Sequence, residues 1–150
     1  MIVTLDTSIL VRATDQSSGP ARRLVELLVQ NPEHTIALSH YILGEVGKVM
    51  SYARLYRLLK LSPDDIRNHL DFLNSVVELV DPLPGLPVVR NDPKDDPVLY
   101  TAIAAGADVL CSRDQDFFAP GVIAVAAKHG LAIMDDVRLL SALQLRFLPL

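Results

Sequence analysis

Cysteine is nearly absent from this chain. Cys111 is the only one, which excludes an intramolecular disulfide and, from its place in an apolar run, assigns it to core packing in a reducing compartment. Long hydrophobic stretches are missing too. Half of the residues are apolar, yet no uninterrupted run approaches the roughly 18 residues of a membrane span. The opening MIVTLD has neither the basic region nor the long apolar run of a signal peptide, so a cytoplasmic protein with no membrane contact is expected. Basic charge is also short: 14 Lys and Arg stand against 18 Asp and Glu, a net charge of -4. That balance argues against a broad basic face gripping nucleic acid, because such binding draws on many phosphate contacts, although a local basic patch stays open. Internal repeats and low-complexity tracts are absent.

What is present is the raw material of one ordinary domain spanning residues 1–150, large enough to bury a proper core. Short apolar or β-branched runs at Met1–Leu5, Thr35–Leu38, Val76–Val80, Asp108–Cys111 and Leu131–Met134 read as strands covered on both faces. Helical patterns separate them, which predicts an α/β fold: a three-layer α/β/α domain around a central, mostly parallel sheet. Asp6 is placed to cap a short helix over Thr7–Arg12, and Ser39 caps a helix from His40 to about Tyr52. Ser62 before Pro63, with Asp64 and Asp65 in the first turn, is another start signal, as is Asp96 before Pro97. Gly106 closes the helix after Asp96, and Asp135 and Asp136 open the last one, with Val137, Leu140 and Leu143 as its apolar stripe. The segment Asp81–Pro93, with four prolines and a glycine, is an irregular connection.

Acids cluster at both ends of the stretch RNDPKDDPVLYTAIAAGADVLCSRDQDFF: Asp92, Asp95 and Asp96 at its start, Asp114 and Asp116 at its end. Open parallel sheets bind ligands beyond the carboxyl ends of their strands. Asp6, Glu45, Asp96 and Asp114 each fall just past a strand or near the start of the following helix. Each also has a purely structural reading: Asp6 and Asp96 as caps, Glu45 as a surface partner of Lys48, Asp114 as a turn former. Asp116 is either a further ligand or a turn residue, while Asp92 and Asp95 read as solvated loop acids. Helical spacing sets Glu45 beside Tyr41, Ile42 and Val49, an apolar face for a charge unless it borders a polar site, and Gly44 and Gly47 allow close backbone approach there. Gathered carboxylates repel unless a cation sits among them. Mg²⁺ or Mn²⁺ favours such oxygen ligands and keeps waters, and one ion or two about 4 Å apart suits phosphodiester hydrolysis.

These same motifs resemble a PIN-domain nuclease, and more narrowly the toxins of prokaryotic toxin–antitoxin pairs. LDTSIL matches the family's opening strand and its first acid, Asp6. SHYILGEV matches the helix acid at Glu45, DPKDDPVLYTAIAAGAD the third acid at Asp96, and LCSRDQDFF the closing pattern with Ser112, Asp114, Asp116 and Phe117. Thr7, Ser8 and Ser112 supply hydroxyls in support; Ser8 and Ser112 stand where Asn and Thr are common, and Arg113 where Gly is frequent. The resemblance implies an Mg²⁺- or Mn²⁺-dependent endoribonuclease, often a homodimer, held inactive by an antitoxin. The rival is a catalytically silent module that binds RNA or a partner protein.

Outside the acids, Arg54, Arg57 and Lys60 recur at three-residue steps in SYARLYRLLKL, either as a solvated face or, with Arg113, as an RNA or antitoxin contact. The four histidines, His34, His40, His69 and His129, lack ligand spacing and read as structural, and Tyr52 and Tyr56 read as packing. Leu145, Phe147, Leu148 and Leu150 form an apolar tail suited to the core or to a dimer interface.

Overall fold

In a computed structural model, which describes residues 1–145, five strands form where the short apolar runs lie. They are β1 (Ile2–Leu5), β2 (Thr35–Leu38), β3 (Glu78–Leu79), β4 (Val109–Cys111) and β5 (Ala132–Met134). Their order is β3-β2-β1-β4-β5 and every pairing is parallel. Val3, Thr4 and Leu5 are all buried, as is the whole of β4, so successive side chains on opposite faces are both covered. That is the α/β/α layering expected.

The helices are α1 (Thr7–Leu10), α2 (Pro20–Gln30), α3 (His40–Met50), α4 (Ala53–Leu58), α5 (Pro63–Val76), α6 (Asp96–Ala104), α7 (Pro120–Lys128) and α8 (Asp136–Leu145). Local chemistry sets most of their ends. Ser39 accepts from Ile42 N–H at 3.3 Å, and Ser62 and Asp65 close a reciprocal capping box at 3.1 and 2.7 Å. Gly106 turns at φ +63°, the left-handed conformation that ends α6 without a Cβ clash. Asp135 accepts from Arg138 N–H at 2.8 Å and so starts α8.

Packing corrects some details. α1 ends at Leu10 rather than Arg12. In α8, Val137 is exposed and Leu139 joins Leu140 and Leu143 in the core, because Asp136 is itself buried and sets the helix phase. Arg54 and Arg57 lie exposed on the short α4, while Lys60 falls beyond it at φ +51°. Tyr56 packs against the core and Tyr52 does not. α2 and α7 are additional to the sequence reading; α2 packs on α8 and β2, and α7 on β5. Residues 146–150, including Phe147, Leu148 and Leu150, lie outside the described residues; Leu145 is exposed. No described helix is long and apolar enough to cross a membrane.

Candidate active site

Asp6 follows β1 directly, and its N–H bonds to Cys111 O at 2.9 Å, continuing the β1–β4 ladder one residue past the strand. It occupies the cap position of α1 but its side chain makes no cap bond. Instead Oδ2 accepts from Ser112 Oγ at 2.7 Å and Ser8 Oγ at 2.9 Å. The Ser8 hydroxyl also accepts from Arg113 N–H at 3.1 Å, and Ser112 Oγ from Asp114 N–H at 2.9 Å. These hydroxyls stitch the turn after β1 to the loop after β4. Asp6 is buried, which raises its pKa; the two hydroxyls oppose the rise and the nearby Asp114 charge adds to it.

Five acids line one depression of about 240 Å³: Asp6, Glu45 from the middle of α3, Asp92, Asp95 and Asp114, with Asp92 half-buried rather than the solvated loop acid expected. Thr7 and Ser8 line it as well. Glu45 makes no ion pair with Lys48 among the described residues, so the surface-pair reading fails. A Cβ on Gly47 would stand 3.3 Å from Leu70, a close approach of α5, whereas Gly44 faces open space.

Asp95 is the acid the sequence reading passed over. It ends a 3₁₀ turn over Pro93–Asp95 that Asp92 opens by accepting from Lys94 N–H at 3.1 Å. Tyr41 OH donates to Lys94 O at 2.7 Å and holds the turn against α3. Asp95 Oδ2 is buried with no donor in reach. Its neighbour is the Asp114 carboxylate, with which it bonds only when a proton lies between them. Burial, the Asp114 contact and the Asp6 and Asp92 charges push Asp95 up to about 8. Oxygens of Asp92, Asp95, Asp114 and Asp116 lie within 4.8 Å of one another.

Asp96 is elsewhere. Its Oδ1 accepts from Val88 N–H at 2.9 Å and Val89 N–H at 2.8 Å, clipping the proline-rich segment to the start of α6. It borders a separate hollow with Ser39, Asp81 and Tyr100, so Asp95 rather than Asp96 lines the depression that holds Asp6 and Asp114. Asp116 gives its N–H to Asp114 Oδ1 at 3.0 Å. Arg54, Arg57 and Lys60 do not line the depression, and the Arg113 side chain turns to Asp136, with Nε 2.8 Å from Oδ1. Cys111 and His69 are structural, as expected: the thiol is buried in β4, and His69 Nε2 sits 2.8 Å from Leu10 O.

Acids at the ends of β1 and β4 and on α3, around a parallel sheet, define a class of fold and site, and comparison with known proteins gives its family. Residues 2–116 match the PIN domain, and the chain belongs to that family. Among solved structures, the chain is similar to VapBC2 from Rickettsia felis bound to a DNA fragment from its promoter, at 22% identity and TM-score 0.55 over 90% of this chain and 98% of that one. It is also similar to VapBC-1 from nontypeable Haemophilus influenzae, at 17% identity and TM-score 0.54 over 91% and 99%. At these identities the likeness is one of fold. A search of curated proteins finds no match.

Proposed function

We propose that this PIN domain is a divalent-metal-dependent endoribonuclease and the toxin of a toxin–antitoxin pair. The observation that carries the reading is the convergence of Asp6, Glu45, Asp95 and Asp114, with the buried Asp95 Oδ2 left without a donor. Such a set suits a hard cation, Mg²⁺ or Mn²⁺, which takes oxygen ligands and satisfies an oxygen no protein group reaches. Asp6, Glu45, Asp95 and Asp114 would hold it, with Asp92 and Asp116 flanking. Asp96, committed to the Val88 and Val89 amides, is left out. When bound, the cation supplies a water of lowered pKa and offsets charge building on the phosphate.

The chain's own residues hold the frame. Ser8 and Ser112 fix Asp6, the Asp116 amide fixes Asp114, and Tyr41 pins the turn that carries Asp95. Lys94, exposed at the rim, and Arg113 offer positive charge to phosphate oxygens that the acids alone would repel. The fold shared with VapBC2 and VapBC-1 supports a cognate antitoxin as partner, and the sequence resemblance implies a homodimer in the cytoplasm. The exposed Arg54, Arg57 and Lys60 suit RNA or an acidic antitoxin surface.

The test is cleavage of single-stranded RNA by the purified chain in Mg²⁺ or Mn²⁺ and in excess EDTA, with melting followed in parallel. Metal-dependent cleavage and a Mn²⁺-dependent rise in melting temperature are expected. Equal cleavage in EDTA would sink the reading, and a chain that binds RNA but never cuts it would favour the silent module.

A further inference from the structure

The carboxyl ends of β4 and β5 enclose a second hollow, of about 400 Å³, lined by Arg113, Gln115, Phe118, Asp135 and Arg138. These strands are hydrogen-bonded neighbours, about 4.8 Å apart, and Arg113 lies between Ser112 and Asp114 of the acid site. The hollow therefore adjoins the acids on the β5 side. Arg113 is anchored at both ends. Its backbone N–H donates to the Ser8 hydroxyl that also holds Asp6, and its Nε donates to Asp136 Oδ1 at 2.8 Å.

Asp136 is 1% exposed and Arg113 40%. A buried carboxylate is costly to desolvate, and this one fixes a single half-exposed guanidinium. The terminal nitrogens of Arg113 have no protein acceptor among the described residues. Arg138 reaches the same hollow from the first turn of α8 and has no ion pair there. Both local acids are engaged, Asp136 with Arg113 and Asp135 Oδ1 with the Arg138 amide at 2.8 Å. An incoming anion thus meets two guanidinium groups, one of them paired with buried Asp136, beside the Asp135 carboxylate that lines the same hollow.

We infer that this hollow is a substrate subsite, in which Arg113 and Arg138 hold the phosphate of an RNA nucleotide adjoining the cleaved one and Phe118 lies beside its base. The inference rests on the ribonuclease reading. Guanidinium forks match pairs of phosphate oxygens, and an aromatic face accepts any base. Asp136 is a positioning residue that acts through Arg113.

The experiment measures binding of a fluorescent single-stranded RNA to the full chain in EDTA. Each backbone phosphate is replaced in turn by an uncharged methylphosphonate, and cleavage in Mn²⁺ maps the cut. Arg138→Gln tests the hollow from the surface. Arg113→Gln combined with Asp136→Asn removes the pair together, so that no buried carboxylate is orphaned. Each is expected to weaken binding about tenfold and to flatten the salt dependence by roughly 0.7 in log–log slope per lost contact. Each should also abolish the effect of the methylphosphonate at the subsite phosphate, next to the mapped cut, while leaving the effects of the others unchanged. Asp136→Asn alone, which leaves Arg113 Nε an acceptor, should raise KM more than it lowers kcat. Independent, additive losses from variant and methylphosphonate overturn the subsite. Unchanged affinity in variants that still cut RNA overturns it while the ribonuclease reading stands, and a parent that neither binds nor cuts RNA overturns both.

Discussion

Asp95→Asn separates the crowding of the acids from their use. The carboxamide keeps the shape of the side chain and can donate to Asp114, so it makes permanent a bond that Asp95 forms only when protonated. Burial and the neighbouring carboxylates raise Asp95 from 3.8 to about 8. An acid with a raised folded pKa keeps a proton that the unfolded chain has released, so stability is lost as pH rises from about 4 to about 8. Each unit of such a shift corresponds to about 1.4 kcal/mol. Asp95 is only half buried, water screens the pair, and about 1–2 kcal/mol is left as the expected effect. For a chain of this size that is about 3–6 °C of melting temperature. In EDTA the variant should melt above the parent by that amount near pH 8.5, with the gap closing at about pH 4.5. Under Mn²⁺ the order reverses: the parent gains stability by linkage, and the variant, short of one ligand oxygen's charge, gains less. Circular-dichroism melts across that pH range, with and without Mn²⁺, read both effects. Coincident melting curves in EDTA at every pH would refute the crowding argument, and a full Mn²⁺ response in the variant would remove Asp95 from the ligand set.

Asp96→Ala takes the acceptor away from two backbone amides and should cost about 2 kcal/mol in denaturant unfolding while leaving the Mn²⁺ response intact; loss of that response would return Asp96 to the site. Ser112→Ala removes a donor to buried Asp6 and an acceptor for the Asp114 amide. It should cost about 1–2 kcal/mol near pH 7 and less in acid, where a protonated Asp6 no longer needs the donor; a pH-independent loss would contradict this. Burial lowers the pKa of His69, so the unfolded chain binds a proton the folded one refuses, and stability is lost as pH falls below about 6.5. His69→Gln should remove that part of the slope, visible as a parent-minus-variant difference in melting temperature between about pH 7 and 5.

The parts of the fold that were legible have local causes. Central strands buried on both faces leave no other pattern than short apolar runs, and all five strands formed where such runs lie, although both residues of the edge strand β3 are exposed and β5 is only partly covered. α3 and α5 begin at Ser39 and Ser62, whose side chains bond the backbone they precede. α2 and α7 went unread because nothing of that kind announces them. Their cap positions are Gly19 and Ala119, with no side-chain bond, and only the prolines at Pro20 and Pro120 mark the first turn. In α7 the run VIAVAA also suits a strand as well as a helix. The buried face of α8 depended on Asp136 finding Arg113, a contact across 23 residues that no local pattern contains.

The exchange of Asp96 for Asp95 turns on phase. Adjacent residues of a helix point about 100° apart, so of two neighbouring acids only one can face a given site. Asp96–Pro97 as the start signal points to Asp96, whereas Asp95 lines the depression. The start lies earlier, at Asp92–Pro93, where Asp92 caps the 3₁₀ turn that runs directly into α6 and Pro97 falls harmlessly within the first helical turn. With that origin, Asp95 shares its face with Val98, Leu99 and Ala102, all buried, which carries its carboxyl inward toward the ends of β1 and β4. Asp96 turns to the proline-rich segment, whose amides at Val88 and Val89 need an acceptor. Apolar spacing alone does not separate the two, since Leu99, Tyr100 and Ile103 stand behind Asp96 at the same steps; burial does, with Val98, Leu99 and Ala102 covered and Tyr100 and Ile103 only partly so. The two carboxylates then divide the work that one was expected to do. Asp96 stabilises the fold through two amide hydrogen bonds, while Asp95, its Oδ2 buried without a donor, stores a strain that only a proton or a cation relieves.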